Sequence, residues 1–103
     1  MTSLVARNIT IQTAMALNEL VEELERARTK FPGADHMMIA LAEEHGELAK
    51  ALLDESWERV RAEAIQVACC ALRIATESDP SLNAFRLNKG MDTLDTAKGG
   101  VEV

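Results

Sequence analysis

The sequence predicts an all-α protein: a compact helical bundle of three main helices plus a short fourth, completed by oligomerisation. Three observations point there. Aromatic residues make up only 3% of the chain, with Trp57, Phe31 and Phe85 and no tyrosine. The core must then be built from Leu, Val, Ile, Met and Ala, which suit packed helices better than sheets, where β-branched and aromatic residues concentrate. Apolar residues also recur at helical spacing in three long stretches joined by short connections, the pattern of antiparallel neighbours. Finally, 103 residues suffice for one domain, of a size at which association often completes the core.

Taken in order, the first helix spans residues 10–30. Leu17, Leu20, Val21 and Leu24 share one stripe, and Glu19, Glu22, Glu23, Glu25 and Arg26 fall outside it. Thr10 is the candidate N-cap, and Phe31-Pro32-Gly33 ends the helix. A second helix is predicted over 35–53 with Asp35 as its cap. Ser56 caps a third over 57–78, Glu58 sits favourably in its first turn, and Asp79-Pro80 stops it. Residues 81–87 form a short fourth helix. From Asn88 onward the chain, rich in Gly, Thr, Asp and Lys, reads as a loose tail of a single domain, 1–103, without internal repeats.

The formal net charge of −6 argues against a nucleic-acid polymer as partner, because phosphate backbones are held by clustered Lys and Arg. A small phosphorylated ligand is compatible with it if metal ions supply positive charge locally. Cys69 and Cys70, the only cysteines, adjoin within an apolar helical stretch; this is no zinc framework, and they read as buried structural thiols in a reducing compartment. No signal peptide is evident, and the longest apolar run, residues 67–72, is far short of a membrane span. The expectation is a cytoplasmic protein with no membrane partner.

Functional sites are where a helical pattern is most often broken. At about 100° per residue, Met37, Leu41, Leu48, Ala51 and Leu52 form the apolar stripe of the second helix. Glu44 falls at its centre and Glu47 at its edge, while Glu43 and Lys50 face away. A carboxylate inside a buried stripe is costly unless it is paired or binds a metal. On the third helix the stripe is Val60, Ala64, Val67, Ala71, Ile74 and Ala75. Along its border run Arg59, Glu63, Gln66, Cys70, Arg73 and Glu77. Glu63 and Gln66 repeat the i, i+3 spacing of Glu44 and Glu47, so facing antiparallel helices would bring four oxygen-bearing side chains together. Oxygen-only ligation suits a hard cation such as Mg²⁺ or Mn²⁺. The alternative is salt bridging: Glu44 to an arginine on a facing helix, and the i, i+4 pairs Arg59–Glu63 and Arg73–Glu77.

The string LAEEHGELAKAL at residues 41–52 resembles the EExxE helix of the MazG-like all-α nucleoside triphosphate pyrophosphohydrolases. Glu63-Ala64-Ile65-Gln66 stands where that superfamily carries its ExxD motif, and the resemblance extends over roughly 35–77. It implies a helical subunit assembled as a homodimer or homotetramer. It also implies hydrolysis of a (deoxy)nucleoside triphosphate between the α- and β-phosphates, giving a monophosphate and pyrophosphate. Glu44, Glu47 and Glu63 match positions that hold Mg²⁺, and Glu43 matches one that assists with further metals or the attacking water. Gln66 occupies the fourth metal position, where the family normally has Asp, and so makes the site less anionic. Arg73, two turns beyond Gln66 on the same ridge, could reach phosphate. His36 could face the base, and Asn88 and Lys89 fall where the family often places Asn and Lys near the nucleotide. His45 is expected to pack at the border of the stripe. A non-catalytic nucleotide- or protein-binding member of the same fold, with Gln66 marking lost chemistry, is the alternative function.

Overall fold

The computed structural model describes residues 9–94, in which four helices follow one another: α1 (Ile11–Lys30), α2 (Met37–Asp54), α3 (Trp57–Glu77) and, after a 3₁₀ turn at Pro80–Leu82, α4 (Asn83–Asn88). No strand occurs among the described residues. No helix among them is long and apolar enough to cross a membrane.

Two of the three long helices start where their side chains dictate. Thr10 Oγ1 accepts the Thr13 N–H at 3.1 Å, and Ser56 Oγ accepts the Arg59 N–H at 3.3 Å. Each satisfies a donor that the first helical turn leaves without an intrahelical partner. α2 departs from expectation. Asp35 is not its cap; the N-cap is His36, which lies in the left-handed region at φ 65° and makes no side-chain capping bond. The cap comes instead from Asp79, 43 residues away, whose carboxylate accepts the His36 N–H at 3.1 Å and the Met38 N–H at 3.0 Å. The same carboxylate accepts the N–H and hydroxyl of Ser81. Asp79 is only 3% exposed. Burial pushes its carboxyl up, but the bonds from Ser81, Met38 and His36 outweigh that and hold it below the usual range.

α3 is the central helix: it packs against both α2 and α1, which scarcely touch each other. Polar bonds tie α1 to it. Arg28 donates to Glu77 at 2.9 Å and to Thr76 Oγ1 at 3.0 Å, and Arg61 pairs with Glu19. Arg73, 3% exposed, fastens the α1–α2 connection by donating to the carbonyls of Phe31 (2.9 Å) and Gly33 (3.2 Å). The stretch after Asn88, expected to be loose, is held as far as Leu94: Ser78 Oγ donates to the Leu94 carbonyl at 2.7 Å, and the Leu94 N–H donates to Asn83 Oδ1 at 2.6 Å. The rest of the tail, 95–103, lies outside the described residues.

The face that α3 turns inward also differs from expectation. Its buried residues are Glu63, Cys69 and Arg73, whereas of the apolar stripe Val60, Val67 and Ile74 are half-buried and Ala64, Ala71 and Ala75 are exposed. α2 likewise leaves Ile39, Ala42, Gly46, Ala49 and Leu53, spaced alternately by three and four, open to solvent. Periodicity identifies an apolar face but not whether it meets the same chain or another. Among the described residues the buried apolar side chains are Met37, Ala51 and Cys69.

Because Asp79 satisfies two α2 donors at once, Asp79→Ala is expected to lower stability by roughly 2–3 kcal/mol, against less than about 0.5 kcal/mol for Asp35→Ala. Denaturant melts of the two variants check this; equal effects would remove Asp79 from the capping role.

Candidate functional site

With α1 and α2 splayed apart over α3, a groove of about 690 Å³ opens between them. α1 lines it with Glu23, Arg26, Ala27 and Lys30, and α2 with Met37, Ala40 and Glu44, with His36 just ahead of them. The floor is the border ridge of α3, with Glu63, Gln66, Cys70 and Arg73 at steps of three or four residues and Cys69 beside them.

At one end Glu44 of α2 meets Glu63 of α3. Glu63 is 7% exposed and its Oε1 accepts from Arg59 Nη2 at 2.5 Å. Glu44 is half-buried, and its carboxyl is pushed up to about 7. Burial is the largest cause, followed by a hydrogen bond shared with Glu63 and by the negative charges of Glu63, Glu43 and Glu47. At neutral pH such a pair holds a proton that an exposed glutamate would have released. Across the groove, burial pushes Glu23 up, but hydrogen bonds with Arg26 and Gln66 and the charges of Arg26 and Lys30 win, and its carboxyl lies below the usual range.

The residues singled out from the sequence divide into three groups. Glu44, Glu63, Gln66, Arg73 and His36 all line the groove. Glu43 and Glu47 are exposed and do not line it, although their charges reach Glu44. Asn88 and Lys89, at the end of α4, also lie outside its lining; Lys89 sits over the Phe85 ring at 5.7 Å. His45 is exposed and not a packing residue.

Of the alternative salt bridges, the two i, i+4 pairs form, and among the described residues no arginine pairs with Glu44. Arg59 reaches Glu63, and Arg73 reaches Glu77 at 2.9 Å. Arg73 is thus part of the groove's floor, its guanidinium already engaged by Glu77 and two backbone carbonyls. Among the described residues no three His, Cys, Asp or Glu side chains converge as a ready-made metal cage. Cys69 and Cys70 are free thiols pushed up chiefly by burial, the behaviour of inert packing residues.

Glu23 also lines the groove, though no break in the apolar pattern of α1 singles it out. It immediately precedes Leu24 and shares the ridge of Arg26, Ala27 and Lys30 at i+3, i+4 and i+7, a border ridge like that of α3. That periodicity was the available signal. No family model, curated protein or solved structure matches the chain.

The pair implies a definite pH dependence. Folded Glu44 keeps its proton up to about pH 7, while the unfolded chain ionises near 4.5. This group's contribution is therefore complete at low pH and is lost as pH rises from about 4.5 towards 7. Glu44→Gln keeps a neutral hydrogen-bonding side chain beside Glu63 and removes the titration. In chelator its stability advantage over the parent is expected to grow across that window and then level off. A pH-independent difference between the two melting series would show that Glu44 ionises normally.

Proposed function

We propose that this chain is a MazG-like, metal-dependent nucleoside triphosphate pyrophosphohydrolase that cleaves a (deoxy)nucleoside triphosphate to the monophosphate and pyrophosphate. The observation that carries this reading is the Glu44–Glu63 pair, two carboxylates from facing helices that line one groove, where burial and mutual repulsion push the Glu44 carboxyl up. Such like-charged groups are costly together unless protonated or bridged by a cation. They are also two of the four positions that the sequence resemblance assigns to the metal, Glu44 from the first motif and Glu63 from the second. Carboxylate oxygens fit Mg²⁺, with Mn²⁺ as a substitute. A cation bound there supplies neutralisation of charge on the phosphate oxygens and a more acidic bound water. Glu44 and Glu63 would hold it, with Glu47 and Glu43 on the solvent side of the same α2 turn. Glu43 is the candidate for handling the attacking water. On the opposite wall Arg26 and Lys30 offset part of the carboxylate charge that a triphosphate would otherwise meet.

The second reading, a binding member without turnover, is favoured by Gln66. It brings no carboxylate, and it lies in the groove with Glu23, whose carboxyl it helps to hold below the usual range. The open apolar faces of α2 and α3 support assembly into a homodimer or homotetramer, since monomers rarely leave so much contiguous apolar surface exposed.

A pyrophosphate-release assay over the common NTPs and dNTPs, with and without Mg²⁺, separates the readings. Mg²⁺-dependent release is expected, falling at least about 100-fold in Glu44→Ala and Glu63→Ala. Both variants should stay folded: the Arg59 side chain is 54% exposed, so losing Glu63 strands no buried cation and costs at most about 1 kcal/mol. Nucleotide binding without release would select the second reading. Sedimentation at micromolar concentration is expected to give a dimer or tetramer, dissociated by Leu53→Glu; a folded parent monomer would remove the assembly from the proposal.

A further inference from the structure

Asp79 does more than begin a helix. The segment it captures, from His36 to Met38, contributes to the wall of the groove. The N–H it binds belongs to a residue held at φ 65°, ψ 26°, a conformation that an L-residue with a side chain adopts at a cost. Asp79 uses both oxygens for this: Oδ1 takes the His36 N–H and Oδ2 the Met38 N–H. Ser81 fixes the carboxylate in turn. The next connection upstream is also strained: Ser78 sits at φ 66° and is anchored to the Leu94 carbonyl. The outcome is an exposed imidazole-bearing residue set on the groove by a buried, fully bonded acid on another element.

His36, the N-cap of α2, precedes Glu44 by eight residues, a backbone separation of about 12 Å at the helical rise. A nucleotide whose phosphates lie at Glu44 can turn its nucleoside end toward His36, the two side chains closing part of that span. We propose that His36 recognises the nucleoside end of the ligand and that Asp79 is its positioning residue. This rests on the phosphates lying at Glu44 and Glu63 as in the function proposed above. An imidazole can donate or accept one hydrogen bond to a base or sugar, and a histidine free to leave the left-handed conformation would not stay at that place on the wall.

The chain has two histidines, His36 and His45, so their imidazole NMR signals can be followed separately with His45 as internal control. The probes are nucleoside monophosphates and inorganic pyrophosphate, each with Mg²⁺. The His36 signals are expected to move with a nucleoside monophosphate and not with pyrophosphate. Asp79→Asn should shift them towards those of free histidine and weaken monophosphate binding roughly tenfold, the scale of one lost hydrogen bond. His36→Ala should weaken it by the same factor, and the double variant by no more than either alone. His36→Gly tests recognition even if Asp79→Asn fails to fold, because glycine adopts φ 65° freely; it should be at least as stable as the parent and still lose binding. His36 signals that ignore the monophosphates, losses that add in the double variant, or undiminished binding by His36→Gly would overturn the inference. A parent that shifts His36 on binding but releases no pyrophosphate would defeat the hydrolase reading and leave this one standing.

Discussion

The α3 helix places charge on the side where a small protein usually places leucine. Glu63 and Arg73 are two of its three buried residues, and neither can stay there without partners. Arg73 is satisfied by Glu77 and by the carbonyls of Phe31 and Gly33, which draws the α1–α2 connection down onto α3. Glu77 binds Arg28 as well and so fastens the end of α1. Glu63 has Arg59 on one side and Glu44 on the other. Satisfying that polar ridge keeps α1 and α2 apart, leaving a groove where a closed core would otherwise form. The alanine stripe of α3 and the Ile39–Leu53 stripe of α2 are left on the outside in consequence.

What the sequence reveals follows from how far each signal travels along the chain. Thr10 and Ser56 cap helices three residues ahead of them, so the starts of α1 and α3 are local facts and legible. The start of α2 depends on Asp79, whose distance along the chain no capping rule reaches; Asp35 had the right chemistry and no such role. Glu44 and Glu63 stood out because a carboxylate violated or bordered an apolar stripe, and they do meet in the groove. Glu47 shared their spacing but not their burial, since a step of three residues carries it round to solvent. Glu23 is hard to single out because α1 has acids all along its polar side, and what distinguishes this one is its place facing the α3 ridge across the groove. The inward face of α3 is shifted from the apolar stripe toward its border, leaving Val60, Val67 and Ile74 half-buried, because two ridges lie side by side and periodicity cannot say which neighbour each will find.

The chemistry of the groove is graded from end to end. Arg26 and Lys30 keep Glu23 ionised on the α1 wall, whereas Glu44, across from it, is protonated through much of the acid range. Two acids in one cavity, driven in opposite directions by their surroundings, are a feature of sites that handle charge. Structural ion-pair networks perturb acids too, and Arg73–Glu77–Arg28 is such a network here, holding Glu77 low while it binds helices together. The difference lies at Glu44, whose nearest ionisable neighbours repel it.

That repulsion is what a divalent cation would convert into attraction, and it can be watched at a single atom. Carboxyl-resolved NMR titration of the Glu44 side chain, first in chelator and then in saturating Mg²⁺, is the measurement to make. The expected midpoint is about 7 without metal, falling by more than about one unit when Mg²⁺ competes with the proton for the pair. A midpoint that Mg²⁺ leaves unmoved would mean that Glu44 and Glu63 share a proton but no cation, and the metal site would have to be abandoned.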